Sequence, residues 1–337
     1  MKKLRHSIAQ TLEQSWYSKS GLTVFLRPIS WLYISIAVVR RVLYRLSILN
    51  ATRLPVPVII VGNITVGGTG KTPLVIWLAN YLKQAGFKPG IISRGYGGNA
   101  RRWPQQVRPD ADPVMVGDEA LVIARRTRCP MAVGPDRVAA AEALLQHAAI
   151  DVIISDDGLQ HYALERTIEI AVVDGVRRLG NGFCLPAGPL RECKGRLHSV
   201  DFIVTNGSAV QEEYAMRYVG DTAVNLCNRT EKPLADFKPA QVTAIAGIGN
   251  PDRFFNFLRV HGIRLVSMAF PDHHYFQHDE LGIPPSEILM MTEKDAVKCE
   301  RFAQPNWWYV PISVELPSEF GMKVLSLMGS RHGQKDA

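Results

Sequence analysis

Apolar runs alternate with helical patterns along most of the chain, which predicts a doubly wound α/β core around a parallel sheet. The run from Val56 to Val61 is apolar and mostly β-branched, as in a buried parallel strand. Apolar side chains then recur at helical spacing up to Gly86, a residue suited to end a helix. These helix positions are Leu74, Trp77, Leu78, Tyr81 and Leu82, and the further candidate strands are Gly90–Ser93, Met131–Val133, Val152–Ser155, Ile168–Val173 and Phe202–Thr205.

The pattern weakens between residues 207 and 240, where the polar stretch Asn228–Lys238 interrupts it. A chain of 337 residues, 47% of them hydrophobic, is long enough to form two domains with separate cores. We therefore predict a larger α/β domain over residues 51–215 and a smaller α/β domain over residues 216–337. The candidate strands of the second domain are Val242–Ile245, Leu265–Met268, Ile288–Met291 and Trp307–Val310.

The first 50 residues combine positive charge with large apolar side chains. They hold eight lysine or arginine residues and one glutamate, while the net charge of the whole chain is +8. The uncharged stretch Pro28–Val39 is shorter than the ~20 residues that span a bilayer. We expect residues 1–50 to form a basic amphipathic helical segment at an anionic membrane surface. A spanning helix over Gly21–Val39, opposed by Arg27, and a basic arm packed on its own core remain alternatives. Nucleic-acid binding is disfavoured, because the basic residues alternate with large apolar ones.

Residues 61–73 read Val-Gly-Asn-Ile-Thr-Val-Gly-Gly-Thr-Gly-Lys-Thr-Pro and lie between the first predicted strand and helix. In such a loop, backbone N–H groups converge on phosphate oxygens, the lysine reaches the terminal phosphates and the threonine can ligate Mg²⁺. The strict pattern has glycine where this chain has Thr65, but strand, loop and helix occur in the required order. We therefore predict a nucleotide site, with a plain glycine-rich turn as the alternative. Its residues are Thr65, Val66, Gly67, Gly68, Thr69, Gly70, Lys71 and Thr72.

Acidic residues follow the strand Val152–Ser155. Asp156 and Asp157 stand at its end, where carboxylates can meet a Mg²⁺ ion carried by the Thr72 hydroxyl. An Asp-Asp-Gly turn is the alternative. Asp118 follows a glycine and precedes a helical pattern, so the sequence does not distinguish a helix cap from a catalytic carboxylate.

Three histidines cluster near residue 275: His273, His274 and His278. Their acidic neighbours and the absence of paired cysteines among the five in the chain disfavour a zinc site. A single histidine that exchanges a proton or orients a carboxylate is the stronger interpretation.

These motifs, in this order, resemble the tetraacyldisaccharide 4'-kinase family, the lipid A 4'-kinases of Gram-negative bacteria. The resemblance covers about residues 10 to 315. The matching residues are Gly62-Asn63, Gly67-Gly68-Thr69-Gly70-Lys71-Thr72-Pro73, Ser93-Arg94-Gly95-Tyr96-Gly97, Gly117-Asp118-Glu119, Gly134-Pro135-Asp136-Arg137, Asp156-Asp157-Gly158-Leu159-Gln160-His161, Gly188-Pro189-Leu190-Arg191-Glu192, Asp272-His273 and Thr292-Glu293-Lys294-Asp295.

The resemblance implies a P-loop NTPase-like kinase that transfers the γ-phosphoryl group of ATP to the 4'-hydroxyl of a tetraacyldisaccharide 1-phosphate. It implies that Lys71 and Thr72 serve the phosphates and Mg²⁺, with Asp156 and Asp157 as the acidic metal pair. Asp118 would be the general base, supported by His273 from the second domain. The substrate implies action at the cytoplasmic face of the inner membrane, and no obligate protein partner is evident. The residues implied to line the reaction centre are Arg137, Gln160, His161, Arg191 and Glu192.

Two other functions are considered. A membrane-associated partitioning ATPase carries a lysine just before the glycine pair of its loop, where this chain has Val66. A regulatory nucleotide-binding module without catalysis would not need the intact acidic and basic residues described above. For Thr292–Asp295, a structural turn and a nucleotide contact remain equally open.

Overall fold

The structure, a computed structural model, describes residues 12–18, 21–284 and 286–333. Among the basic residues of the first segment, Lys2, Lys3, Arg5 and Lys19 lie outside the described residues. The strands are β1 Val58–Gly62, β2 Pro89–Ser93, β3 Gln105–Gln106, β4 Met131–Val133, β5 Val152–Asp156, β6 Ile168–Asp174, β7 Phe202–Asn206, β8 Tyr214–Val219, β9 Thr222–Asn225, β10 Glu231–Pro233, β11 Gln241–Ala246, β12 Arg264–Ala269, β13 Ile288–Thr292, β14 Trp307–Val310 and β15 Ser313–Glu315. The helices are α1 Leu22–Arg45, α2 Lys71–Gln84, α3 Pro113–Val116, α4 Asp118–Thr127, α5 Arg137–His147, α6 Pro251–Val260, α7 His278–Leu281, α8 Glu293–Cys299 and α9 Ser318–Gly333, and short 3₁₀ turns cover Lys194–Ser199, Leu234–Phe237 and Glu300–Phe302.

Nine strands form the first sheet, in the order β15-β8-β7-β6-β1-β5-β2-β4-β3. The seven strands from β8 to β4 pair in parallel, and the two edge strands pair antiparallel with their neighbours. The central parallel strands β1, β5 and β6 are buried along their length, which explains why their sequences are mostly apolar.

Helices cover both faces of this sheet. Ile59 and Val61 of β1 point to one face, where they join a core with side chains of α2, α4 and α9. Val58 and Ile60 point to the other face, where they join α5 and the inner side of α1. The alternation follows from the two-residue period of a strand, and the result is the doubly wound α/β core that the sequence predicts.

Six strands form the second sheet, in the order β10-β9-β14-β13-β11-β12. Strands β11 to β14 pair in parallel, and β9 joins β14 antiparallel. Phe254, Phe255 and Leu258 of α6 cover one face of the sheet, and Ala296 and Cys299 of α8 cover the other. The four strands expected in this unit are therefore present.

The second unit differs from the predicted span of 216–337. Strand β8 contains residue 216 but belongs to the first sheet, and β15 pairs with β8 there. The last helix, α9, packs Phe320, Val324 and Met328 into the first core. The smaller sheet is therefore an insertion between β8 and β15, which hydrophobic periodicity cannot reveal because it carries no information on which strands pair.

Helix α1 runs along the surface of the larger domain. Its Ser30 hydroxyl donates to the Cys184 carbonyl at 2.7 Å, and the Tyr33 hydroxyl donates to the Arg191 carbonyl at 3.0 Å. The part of α1 from Thr23 to Arg45 is long and apolar enough to cross a membrane. Its most apolar 18-residue stretch has a mean hydropathy of 1.3, and 11% of that stretch is buried. Its outward side carries large exposed apolar residues, among them Phe25, Ile29, Trp31, Leu32, Ile36 and Val39.

Candidate active site

The glycine loop, residues 63–70, joins β1 directly to the first turn of α2. Gly67 and Gly70 have φ angles of +105° and +98°, in the left-handed region that favours glycine. A Cβ atom at residue 70 would lie 2.6 Å from Asn206 Nδ2, so the loop turns close against β7. The turn leads into the α2 N-terminus, whose first N–H groups and helix dipole favour a bound anion.

Lys71, the first residue of α2, faces the carboxylate that follows β5. Its Nζ lies 3.2 Å from Asn63 Oδ1 and 3.4 Å from Asp157 Oδ1. Arg191 places Nη1 3.1 Å from both oxygens of the same carboxylate. Burial alone would raise the pKa of Asp157, but the two cations lower it to about 2. Asp157 is thus ionised at neutral pH, at the junction of the glycine loop and the segment that carries Arg191.

Asp156 ends β5 beside the end of β1, because residues 61 and 156 are paired in register. Its Oδ2 accepts a hydrogen bond from the Ser93 hydroxyl at 3.0 Å. Within the part of the chain that the structure describes, Oδ1 is buried and has no hydrogen-bond partner. Burial, together with the negative charges of Glu119 and Asp157, raises the pKa of Asp156 to about 7. A buried carboxylate with an unpartnered oxygen is suited to a hard cation.

Asp118 and His273 meet across the two domains. Asp118 begins α4 after Gly117, whose φ of +93° lies in the left-handed region. His273 Nδ1 lies 3.0 Å from Oδ1 and 3.2 Å from Oδ2 of this buried carboxylate. The Glu119 backbone N–H also donates to Oδ1 at 2.8 Å, so Asp118 contributes to the helix start as well as to the histidine pair.

Each partner of this pair shifts the pKa of the other. Burial opposes ionisation of Asp118, but the His273 hydrogen bond and two nearby lysines hold its pKa well below the usual range. Burial likewise disfavours the charged form of His273, but the Asp118 carboxylate raises the pKa of the ring above its ordinary value. The Tyr96 ring lies against the imidazole, with centroids 4.8 Å apart. The geometry is that of a carboxylate oriented by a histidine.

Gln160 and Glu192 connect the glycine loop to the segment after residue 188. Gln160 Nε2 donates to the Asn63 carbonyl at 3.1 Å and to Glu192 Oε1 at 2.8 Å. The Tyr162 hydroxyl donates to the other carboxylate oxygen of Glu192. Both residues lie at the edge of the Lys71–Asp157 cluster, since Gln160 Oε1 is 3.4 Å from Arg191 Nη1.

Arg137 and His161 complete the set of residues singled out from the sequence. Arg137 is buried at the start of α5, and its Nη2 donates to the Asp157 carbonyl at 3.3 Å. Burial and the positive charge of Arg137 lower the pKa of His161 to about 4. His161 is therefore neutral at neutral pH rather than a cation, and its buried Nε2 has no hydrogen-bond partner among the described residues.

The comparison with protein families identifies the group to which this arrangement belongs. A family model described as tetraacyldisaccharide-1-P 4'-kinase, LpxK, matches residues 22–329. The chain belongs to this family. The protein is therefore a kinase.

Individual relatives agree with the family match. A tetraacyldisaccharide 4'-kinase of Nitrosococcus oceani is 53% identical over 313 residues, which are 93% of this chain and 93% of the relative. One of Actinobacillus succinogenes is 52% identical over 307 residues, 90% of this chain and 94% of the relative. A crystal structure of LpxK from Aquifex aeolicus in complex with ATP matches with a TM-score of 0.76 and 28% identity, over 92% of this chain and 99% of that chain.

His273 and His274, which follow β12, do not converge on one point in this member of the 4'-kinase family. His273 faces Asp118, whereas His274 Nε2 lies 2.8 Å from Glu280 Oε2. The side chain of His278 is outside the described part of the structure. Within the described residues, no group of three or more histidine, cysteine, aspartate or glutamate side chains is arranged as a metal site.

Thr292–Asp295, for which the sequence leaves two roles open, forms the N-terminus of α8. The Thr292 hydroxyl accepts a hydrogen bond from the Asp295 backbone N–H at 3.1 Å. Asp295 Oδ2 in turn accepts from the Gly247 N–H at 2.9 Å. Glu293 pairs with Arg126 of the larger domain at 2.9 Å. The motif thus caps a helix and joins the two domains.

Two lysines of the same helix reach the Asp118–His273 pair, and sequence reasoning missed both as site residues. Lys294 Nζ lies 3.3 Å from His273 Nε2, and Lys298 Nζ lies 3.5 Å from Asp118 Oδ2. Their four-residue separation places them on one face of the helix, which is the signal that could have found them.

The second domain also touches the glycine loop. Gly249, in the turn between β11 and α6, packs so closely that a Cβ atom there would lie 2.9 Å from the Gly68 backbone nitrogen. The Arg177 guanidinium reaches the Gly249 carbonyl at 3.5 Å. The position of this turn is therefore coupled to the position of His273, which the same domain carries.

Proposed function

We propose that the protein is the ATP-dependent kinase that phosphorylates the 4'-hydroxyl of a tetraacyldisaccharide 1-phosphate in lipid A biosynthesis. Family membership over residues 22–329 supports the reaction and the substrate class. The observation that carries the mechanism is the meeting of Asp118 and His273 near the end of the sheet that bears Lys71, Asp156 and Asp157. Phosphoryl transfer asks a protein chiefly for alignment and charge neutralisation, which these groups supply.

ATP is the phosphoryl donor, and the glycine loop with the α2 N-terminus is its phosphate site, as in P-loop nucleotide-binding proteins. The related Aquifex aeolicus protein, crystallised in complex with ATP, supports the nucleotide. Lys71 contacts Asn63 and Asp157 in this structure. We infer that its ammonium turns to the terminal phosphates when ATP binds. Residues Thr65 to Thr72 would then surround the phosphate chain.

Thr72, Asp156 and Asp157 would hold Mg²⁺. The donor set consists of oxygens, and Asp156 Oδ1, buried and unpartnered among the described residues, fits a cation that prefers carboxylate ligands. A bound Mg²⁺ neutralises charge on the transferring phosphates. A cation at this carboxylate would favour the ionised form and so oppose the rise of the Asp156 pKa to about 7.

Asp118 is the general base in this proposal. It accepts the proton of the sugar 4'-hydroxyl as the hydroxyl oxygen forms its bond to the γ-phosphorus and the bond from that phosphorus to ADP breaks. His273 holds the carboxylate in position through the 3.0 Å hydrogen bond. Arg191 and the buried Arg137 neutralise negative charge around the transferring group, and Gln160, His161 and Glu192 line the acceptor side.

In this proposal the N-terminal helix holds the site at the membrane in which the acyl chains of the substrate reside. Its inner side is bound to the protein through Ser30, Tyr33 and Arg41, whose guanidinium lies 2.9 Å from the Ser199 hydroxyl. Only the outward apolar side is then available to lipid, which favours an interfacial helix over one that spans the bilayer. We infer that the protein works at the cytoplasmic face of the inner membrane.

An ATP-consumption assay with and without lipid acceptor tests the proposal against the two other functions. A kinase consumes ATP in proportion to added tetraacyldisaccharide phosphate and forms phosphorylated lipid. A partitioning ATPase hydrolyses ATP without the acceptor, and a regulatory module binds ATP without consuming it. Either of the last two outcomes would exclude the proposed reaction.

A further inference from the structure

Lys294 occupies a position at which it can control the protonation of His273. Its ammonium has three N–H donors and three acceptors around it: Glu119 Oε1 at 2.9 Å, Asp272 Oδ1 at 2.8 Å and His273 Nε2 at 3.3 Å. An ammonium has no lone pair and can only donate. The atom that it faces on the ring must therefore be the unprotonated nitrogen.

The other ring nitrogen then has to carry the proton. His273 Nδ1 lies 3.0 Å and 3.2 Å from the two oxygens of Asp118, and an ionised carboxylate accepts but does not donate. The two contacts are consistent with one another only for the neutral tautomer with hydrogen on Nδ1. A proton on Nε2 would point at a positive charge.

We propose that Lys294 is a positioning residue of the kinase reaction, which fixes His273 as the neutral tautomer that donates from Nδ1 to Asp118. This inference rests on the proposed role of Asp118 as general base. The two members of the pair then have different roles. Asp118 receives the hydroxyl proton. His273, with Nδ1 protonated and Nε2 bound to Lys294, orients the carboxylate and does not receive that proton.

The charged groups around His273 all bear on its titration. Asp118 and Glu119 of α4 and Asp272 of its own loop favour the imidazolium, whereas Lys294 and Lys298 of α8 oppose it. The Tyr96 ring packs against the imidazole. Lys298 is also bound to the fully buried Asp295 at 2.8 Å, so its replacement would leave a buried carboxylate unpaired. Lys294 is therefore the residue to change.

The test is the pH profile of kcat/KM for the full-length protein and its Lys294→Met and Lys294→Arg variants. Removing the ammonium lets His273 take a second proton more readily, so Lys294→Met should shift the acidic limb upward by about one pH unit. On that limb kcat/KM falls about tenfold relative to wild type, which is a larger loss than on the plateau at high pH. Lys294→Arg keeps the charge and should keep the wild-type limb. A uniform loss at all pH values, or no shift, would overturn the proposal.

A ring-nitrogen NMR measurement on the wild-type protein keeps the proposal testable if the methionine variant does not fold. With ¹⁵N-labelled histidine, and His273→Asn for assignment, His273 should show a protonated Nδ1 and an unprotonated Nε2 at a pH on the plateau of kcat/KM. The opposite tautomer would contradict the inference whatever the activity. Failure of the wild-type protein to phosphorylate the lipid would instead contradict the proposed function and leave the tautomer measurement valid.

Discussion

Asp118 of the larger domain and His273 of the smaller domain form a hydrogen bond of 3.0 Å although 155 residues separate them in the chain. The pair is complete only when the two domains are in contact. Domain position and the reactivity of the carboxylate are therefore coupled, as expected for an enzyme that assembles its site on closure.

Replacing the Asp118 carboxylate should abolish proton acceptance and leave the nucleotide site intact. For Asp118→Ala we expect kcat to fall about 10²–10⁴-fold, the usual contribution of a positioned base. ATP affinity, measured by calorimetry, should stay within about threefold of wild type, because the glycine loop and Lys71 are unchanged. Near-normal turnover in this variant would rule out Asp118 as the base.

Gly249 should tolerate no side chain. In Gly249→Ala the new methyl group would lie 2.9 Å from the Gly68 nitrogen and push the smaller domain, with His273, away from Asp118. Displacements of about 1 Å in a catalytic site can cost on the order of 100-fold in rate, so we expect a large fall in kcat. Gly329→Ala on α9, where a Cβ meets nothing within 4 Å, is the matched control and should be fully active. Equal activity of the two variants would contradict the close contact.

The outward side of α1 should be required for membrane binding but not for chemistry. The side chains of Phe25 and Trp31 are apolar and lie at the surface of the described structure. Phe25 is 82% exposed and Trp31 is 64% exposed. The double variant Phe25→Glu/Trp31→Glu should lose co-sedimentation with anionic vesicles and keep its activity on substrate dispersed in detergent micelles. Val260→Glu, at an 85% exposed position on α6, is the control and should sediment like wild type. Unchanged sedimentation of the double variant would exclude α1 as the lipid contact.

His161 should make the folded protein less stable in mild acid. Burial and Arg137 lower its pKa from 6.5 to about 4, so between these pH values the unfolded chain binds a proton that the folded chain does not. The contribution of neutral His161 to the free energy of unfolding is complete above pH 6.5 and is lost as the pH falls toward 4. Between pH 7 and 5, the melting temperature of wild type should fall more than that of His161→Gln, by on the order of a few degrees. Parallel falls would show that His161 does not titrate in this way.

The sequence predicts much of the fold because the central parallel strands of the first sheet are buried on both faces. Runs such as Val152–Ser155 and Ile168–Val173 are therefore mostly apolar, and they correspond within two residues to β5 and β6. The predicted span of 216–337 places strand β15 and helix α9 in the wrong unit, because pairing between β8 and β15 joins residues about 100 apart without any local signal.

The site was predictable where its residues lie in loops next to strand ends. Lys71, Asp156 and Asp157 meet because β1 and β5 are parallel neighbours, an arrangement that the motif order anticipates. Lys294 and Lys298 could not be predicted as site residues, since lysines on a short helix usually face solvent. Only the packing of α8 against α4 brings them to Asp118.

Transfer of label from γ-³²P-ATP to a tetraacyldisaccharide 1-phosphate, followed by thin-layer separation of the lipid product, tests the central claim most directly. We expect a labelled bisphosphorylated lipid that carries its new phosphate at the 4'-position, formed by wild type and reduced at least about 100-fold with Asp118→Ala. Label released only as inorganic phosphate, or an equal yield of labelled lipid from both proteins, would contradict the account.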